Sequence, residues 1–286
     1  MDLQYWYLFP IAIVIAAVAN GAGVGGATFF SPLFVLVLRL QPQVAIGTAL
    51  VTEVFGFASG VTAHARARAI DWKIAGLLLT ASVPAAIVGS LLGGVVSATF
   101  LKVLLGLGLI GVGIAFLRPD DSEAEDAAIA RGEGLVEPSL SRSIVTRDGQ
   151  LYEYKVCRRT EGRIFAGVGG LFVGLISTGL GEADSYALVK RCRVPTRVAV
   201  ATGVVVVAVT ALVASIAHLI DFVQTGGDSL ETVRDIIVFT VPGVIIGGQL
   251  GPQVTRRVSE RTLLRTLGWL FLFIAIVTLM EAAVGG

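Results

Sequence analysis

The chain has 286 residues, of which 55% are hydrophobic and only 15% charged, with a mean hydropathy of +0.82. A soluble domain carries about a quarter charged residues, so composition excludes an ordinary soluble core and favours solvation of the apolar surface by lipid. The net charge of +1 leaves no positive excess for nucleic acid, and Cys157 and Cys192 fit neither a metal-ligand spacing nor a disulfide framework, so no cofactor is expected.

The first ten residues, MDLQYWYLFP, lack the Lys or Arg of a signal-peptide head, and no small-residue cleavage site follows the apolar run. The segment is expected to stay in the membrane, with Tyr5, Trp6 and Tyr7 at the interface. The next stretch, ANGAGVGGATFF, places Gly21, Gly23 and Gly26 at the spacing of a dinucleotide-binding loop. That loop needs an acidic residue about 20 positions on and a βαβ unit around it. Here the corresponding region reads QVAIGTAL, Glu53 comes too late, and no βαβ alternation follows. The glycines instead split Tyr5–Leu38 into two apolar arms. The second arm, Phe29–Leu38, extends about 15 Å as a helix, half a bilayer. A hairpin that turns inside the membrane is expected.

Three long spans follow, Val44–Ala63, Ile74–Val95 and Phe100–Leu117. The stretch 119–162 is polar. Its second half, SIVTRDGQLYEYKV, alternates apolar and polar residues around Asp148 and Gly149, the signal of a β-hairpin. A second interrupted region, Ile164–Val189, breaks at Ser177–Glu182, and three more spans complete the chain at Val198–Leu219, Val233–Val254 and Leu263–Met280.

The two halves resemble each other. QVAIGTALVTEVFGFASGVTAH (43–64) lies over RVAVATGVVVVAVTALVASIAH (197–218), superposing Thr48 on Thr202 and His64 on His218. Gly23 and Gly25 fall on Gly179 and Gly181, and Pro84 and Gly89 on Pro242 and Gly247. With the loop HARARAIDWK on the cytoplasmic side, alternation puts every Lys and Arg there except Arg39, Lys102, Arg234 and Arg265. The first unit then starts outside and the second inside. The expected fold is an all-α polytopic membrane protein of two inverted-topology repeats, each a broken helical hairpin plus three transmembrane helices. The divisions are a first membrane repeat at 1–118, a cytoplasmic linker with a small β-hairpin at 119–162, and a second membrane repeat at 163–286. The setting expected is the cell (inner) membrane, multi-pass, with both termini outside in the periplasm. A homo-oligomer is compatible with the pattern.

Helix arms that end at the glycine breaks leave backbone N–H groups near mid-membrane, costly in lipid unless they meet protein, water or a ligand. An anion suits them. The second break, STGLGEADSY, brings hydroxyls to the equivalent place. Close packing of helices through small residues is the competing reading of any one glycine.

The motifs GAGVGGATFFSPLF, VAIGTAL and STGLGEADSYALVKRCRVPTRVAVAT resemble the TauE/SafE sulfite-exporter family, grouped also with toluene-sulfonate uptake permeases, over nearly the whole chain outside the linker. The resemblance implies carriage of sulfite, organosulfonates or related small anions and tilts the direction toward export. The chain departs from the family pattern at Glu182 and Asp184, where carboxylates stand beside the expected anion site.

The expected substrate-binding residues are Asn20, Gly23, Gly25, Gly26, Thr28, Thr48, Ser177, Thr178, Gly179, Gly181, Ser185, Tyr186 and Thr202. Glu53, Glu182 and Asp184 are the candidates for carrying a coupled proton, since a carboxyl inside a membrane can take and release one. Glu53 has Val207 as its repeat mate, so the scaffold does not require it. A protonated interhelical contact is the alternative for Glu53, and a helix N-cap for the other two. The function expected is secondary transport and not catalysis. Two alternatives stay open, a cation channel or carrier using the same acids and a membrane-embedded sulfur-relay component. The partners expected are a small anion and the bilayer.

Overall fold

A computed structural model describes residues 3–22, 25–117, 141–155, 159–178, 188, 194–225, 228–257 and 260–284. After a short 3-10 turn at Leu3–Tyr5, the first half contains α1 (Leu8–Ala22), α2 (Ala27–Leu36), α3 (Pro42–Arg66), α4 (Trp72–Val95) and α5 (Ala98–Leu117). Two strands follow, β1 (Ser141–Val145) and β2 (Leu151–Lys155), and then α6 (Arg159–Ile176), α7 (Thr196–Thr225), α8 (Asp228–Arg257) and α9 (Glu260–Val284). The protein is an almost wholly helical polytopic membrane protein. Among the described residues six helices, α3, α4, α5, α7, α8 and α9, are long and apolar enough to cross a bilayer, and each contains one of the six spans read from hydropathy.

α1 and α2 have 15 and 10 residues and are separated by the glycine-rich stretch. At 1.5 Å per residue, neither matches the roughly 30 Å of a hydrocarbon core. α2 ends without a glycine: Arg39 takes a left-handed φ of 57°, and Leu40 N–H reaches back to the Phe34 carbonyl. Proline starts α3 at Pro42, where its missing N–H costs nothing.

α3 and α7 form the centre. In their most apolar windows 78% and 67% of residues are buried, against 33–39% in α4, α5, α8 and α9, so the outer helices offer most of their surface to lipid. Leu91, Val95, Trp269, Phe273 and Met280 stand exposed there. Around the central pair, α1 runs along α8, α6 along α4, and α5 along α9, while α3 also meets α8 and α4 meets α7. This set of neighbours is unchanged when α1, α3, α4 and α5 are exchanged with α6, α7, α8 and α9.

Small residues set the close approaches. A Cβ at Gly174 in α6 would collide with the Ala86 carbonyl oxygen, and one at Gly170 with the Ser82 carbonyl, both on α4. Gly247 in α8 is pressed likewise on the Ile13 carbonyl of α1. Such contacts let helix backbones approach where lipid gives no hydrophobic drive to associate. Buried hydroxyl pairs add cross-links, Thr52 with Thr240 (α3 to α8) and Ser82 with Thr210 (α4 to α7), each at 2.9 Å.

The strands pair antiparallel in the register Ser141 with Lys155 through Val145 with Leu151. Gly149 supplies the turn's positive φ of 83°, which a residue with a Cβ adopts only under strain.

Candidate functional site

The site is built from the N-terminal end of α2. Gly26, at the cap position, has no side chain to receive the first N–H groups. Thr28 N–H turns back to the Gly25 carbonyl, and Phe29 and Phe30 N–H turn back to that of Gly26. Ala27 N–H goes elsewhere: it donates to Glu53 Oε1 of α3 at 3.1 Å. Glu53 is only 3% exposed, so a buried carboxylate from another helix caps α2 at the positive end of its dipole. Gly25 makes this possible, since a Cβ there would lie 2.9 Å from Glu53 Oε1 and 3.3 Å from Thr28 Oγ1.

One side chain further, α2 meets the end of α6 through hydroxyls. Thr28 Oγ1 and Thr178 Oγ1 are 2.8 Å apart, and Ser31 bonds to Ser177. Ser177 follows the last turn of α6 at a left-handed φ of 58°, and its hydroxyl also donates to the Ile176 carbonyl. An L residue held in that region stores about 1 kcal/mol or more of strain. All four hydroxyl residues are buried. Hydroxyls can donate or accept, so the four form a polar seam that can turn its donors toward a ligand.

Beside this seam lies a small cleft, with room for about one water, lined by Ala16, Asn20, Gly26, Phe30, Glu53, Gly56, Phe57 and Val244. Asn20 Nδ2 donates to the Ala16 carbonyl at 3.0 Å, which fixes the amide's orientation. Its Oδ1 is buried with no hydrogen-bond partner among the described residues. Among the described residues that line the cleft none is basic.

Asn20, Gly25, Gly26, Glu53, Thr28, Ser177 and Thr178 are thus brought to one region. The hydroxyls of Thr48 and Thr202 are engaged elsewhere. Thr48 Oγ1 donates to the Val44 carbonyl of its own helix at 2.6 Å, and Thr202 Oγ1 accepts from Asp71 N–H at 3.0 Å. Gly23, Gly179, Gly181, Glu182, Asp184, Ser185 and Tyr186 lie outside the described residues. Ser31 is a member of the seam that sequence reasoning missed. Its signal was the i, i+3 spacing from Thr28 on one helix face.

A second polar cluster, also missed, surrounds Asp71. This residue caps α4, with Oδ1 accepting from Lys73 and Ile74 N–H at 2.9 and 3.1 Å. Its Oδ2 accepts from Tyr154 Oη of β2 at 2.8 Å, and Arg142 of β1 lies 3.6 Å from Oδ1. Burial, and then donation to Asp71, push the Tyr154 phenol well above its ordinary range. At the hairpin turn Arg197 Nη1 of α7 donates to Asp148 Oδ2 at 2.7 Å. The Thr146 hydroxyl first, and Arg197 next, lower the Asp148 carboxyl to about 2. The hairpin therefore straps the α3–α4 turn to the head of α7. The overlooked signal was Asp71 itself, an acceptor placed immediately before an apolar helical run.

Six helices able to cross a bilayer and a buried polar seam between α2 and the end of α6 are compatible with membrane transport, and comparison with known proteins agrees. The family model described as "Sulfite exporter TauE/SafE" matches residues 8–278. The chain belongs to the TauE/SafE family. Its relatives in that comparison include two from Bacillus subtilis (strain 168). One is the "Probable membrane transporter protein YunE", 23% identical over 91% of this chain and 92% of its own length. The other is the "Probable membrane transporter protein YjnA", 24% identical over 86% of this chain and 90% of its own length. No solved structure matches the chain. A TauE/SafE protein is a membrane transporter, and both ends of the polar seam, at α2 and at the close of α6, fall within the matched span.

Proposed function

We propose that this TauE/SafE protein is a secondary transporter, working as an exporter, for a small sulfur-containing anion such as sulfite or an organosulfonate. The observation that carries the reading is the family match over residues 8–278 together with a buried seam of four hydroxyls at the start of α2. Binding would use the Ala27 N–H and the hydroxyls of Thr28, Ser31, Ser177 and Thr178, with the second break at 179–186 contributing as well. Hydroxyl and backbone donors suit a sulfonate or sulfite, whose oxygens are acceptors only when fully ionised.

Alternating access would come from rocking of two inverted repeats. The exchange-invariant packing of the helices supports that arrangement. So do the Thr52–Thr240 and Ser82–Thr210 pairs, since Thr52 stands as far before Thr210 in sequence as Ser82 does before Thr240. The setting proposed is the cell membrane, with both termini outside and the hairpin in the cytoplasm. Glu53, Glu182 or Asp184 would carry a coupled proton.

A cation carrier is the second reading, favoured by one observation: the cleft is lined by Glu53 and by Asn20, whose Oδ1 has no partner among the described residues, acceptors suited to a cation. Flux into proteoliposomes under an imposed pH gradient separates the two, with sulfite, sulfoacetate and sodium supplied singly. Sulfite or sulfoacetate flux without sodium supports the proposal. Sodium flux that needs no anion and disappears in Glu53→Gln would replace it with the cation carrier.

A further inference from the structure

We propose that the Glu53 carboxylate is a tethered occupant of the anion site, which the substrate must displace, and that Glu53 leaves as the neutral acid into the Asn20 cleft. The inference rests on the anion-transport reading and adds how that site is filled when empty of substrate. An oxyanion at the start of α2 would take the Ala27 N–H and the neighbouring hydroxyls. Glu53 Oε1 already holds that N–H at 3.1 Å. The same point in space, the absent Cβ of Gly25, lies 2.9 Å from Glu53 Oε1 and 3.3 Å from Thr28 Oγ1, so carboxylate and seam converge. Two anions cannot share one small set of donors in a medium of low dielectric.

The small cleft marks the direction in which the displaced group moves. Glu53 lines it, and its floor is apolar apart from Asn20. The amide of Asn20 is fixed with its nitrogen on the Ala16 carbonyl, leaving Oδ1 as a buried acceptor with no partner among the described residues. An ionised carboxylate has nothing to donate to that oxygen, whereas a protonated carboxyl does. The cleft is therefore matched to the acid form. In the exchange, Glu53 takes one proton from water in the cleft mouth, breaks its bond with Ala27 N–H, and donates its O–H toward Asn20 Oδ1. The anion then accepts from Ala27. Return of the carboxylate releases the proton and expels the anion, so one proton is taken up for each anion bound.

Among the described residues, no other charge on the adjoining helices stands in for Glu53. α1 and α2 carry no titratable side chain. On α3 the nearest are His64 and Arg66 in the last turn, about 16 Å or more along the axis at 1.5 Å per residue. Those of α8 (Asp228, Glu231, Arg234, Asp235, Arg256, Arg257), α7 (Arg197, His218, Asp221), α9 (Glu260, Arg261, Arg265, Glu281) and α5 (Lys102) fall in the outer turns of their helices. Glu182 and Asp184 lie outside the described residues.

The test uses the full chain in detergent, with sulfoacetate and sulfite as probes. Glu53→Gln keeps an oxygen for Ala27 N–H and removes the competing charge. It is expected to bind either probe at least about tenfold more tightly than wild type, with no proton uptake. Calorimetry of the wild type in buffers of different ionisation enthalpy is expected to count close to one proton taken up per sulfoacetate bound. Equal or weaker binding by a folded Glu53→Gln, or a wild-type count of zero, overturns the displacement mechanism and leaves anion transport standing. If Glu53→Gln does not fold, the wild-type count decides alone. Binding of neither probe to wild type or variant overturns the anion reading, and the displacement mechanism with it.

Discussion

The strap between the hairpin and the membrane helices can be tested through Asp71→Ala. Asp71 is 4% exposed and makes three kinds of contact at once. Losing its cap of Lys73 and Ile74 N–H costs about 1 kcal/mol. Losing the bond from Tyr154 Oη, a charge-assisted one at 2.8 Å, costs about 1.5–3 kcal/mol, because the buried phenol is left without an acceptor. The expected total is about 3 kcal/mol, before any cost of leaving Arg142 without its counter-charge. Tyr154→Phe removes only the phenol and should cost about half as much. Asp71→Asn keeps a capping oxygen and should cost about 1 kcal/mol. Thermal unfolding in detergent, followed by tryptophan fluorescence, ranks the three variants. The cycle with Asp71→Ala/Tyr154→Phe should give a coupling of about 1–2 kcal/mol. Additive single-mutant effects, or Asp71→Ala no worse than Asp71→Asn, would refute the reasoning that the hairpin is held through this carboxylate.

Gly174→Val should abolish the folded, monodisperse protein on gel filtration, because its side chain would enter the Ala86 carbonyl of α4, whereas Gly76→Ala, with nothing within 4 Å of the added Cβ, should be neutral or slightly stabilising. Thr28→Val alone leaves Thr178 Oγ1 without its partner and should cost about 1–3 kcal/mol of stability. Thr28→Val/Thr178→Val should recover most of that loss while still weakening sulfite binding, as read by calorimetry. For Asp148, the folded carboxyl at about 2 lies below its ordinary 3.8. Its contact with Thr146 and Arg197 is therefore stabilising above about pH 4 and is lost as pH falls toward 2. Thermal melts over that range should lose less in Asp148→Asn than in wild type.

How much of this was written in the sequence differs by kind of interaction. The six crossing helices were legible because an apolar run of bilayer length has few other meanings, and each span read from hydropathy falls inside its helix. The glycine break before α2 was legible for the same reason. What the sequence did not disclose was who satisfies the break. Glu53 reaches Ala27 from 26 positions away, and no local pattern encodes a cap donated by another helix. Ser31 escaped because a serine inside an apolar arm reads as a small packing residue until its partner, Ser177, is placed. Thr48 and Thr202, which superpose when the two halves of the sequence are aligned, make different bonds: Thr202 lies beside the α3–α4 turn and receives Asp71 N–H, while Thr48 turns back on its own helix. Equivalence in sequence fixed their depth on the helix and not their neighbours.

The central claim, movement of a small sulfur anion by a TauE/SafE protein, is tested most directly by exchange of radiolabelled sulfite in proteoliposomes holding the purified chain. The account predicts uptake of label against unlabelled internal sulfite, competed by sulfoacetate and reduced by Thr28→Val/Thr178→Val. Exchange no faster than in protein-free vesicles, from protein that is folded and inserted, would contradict it.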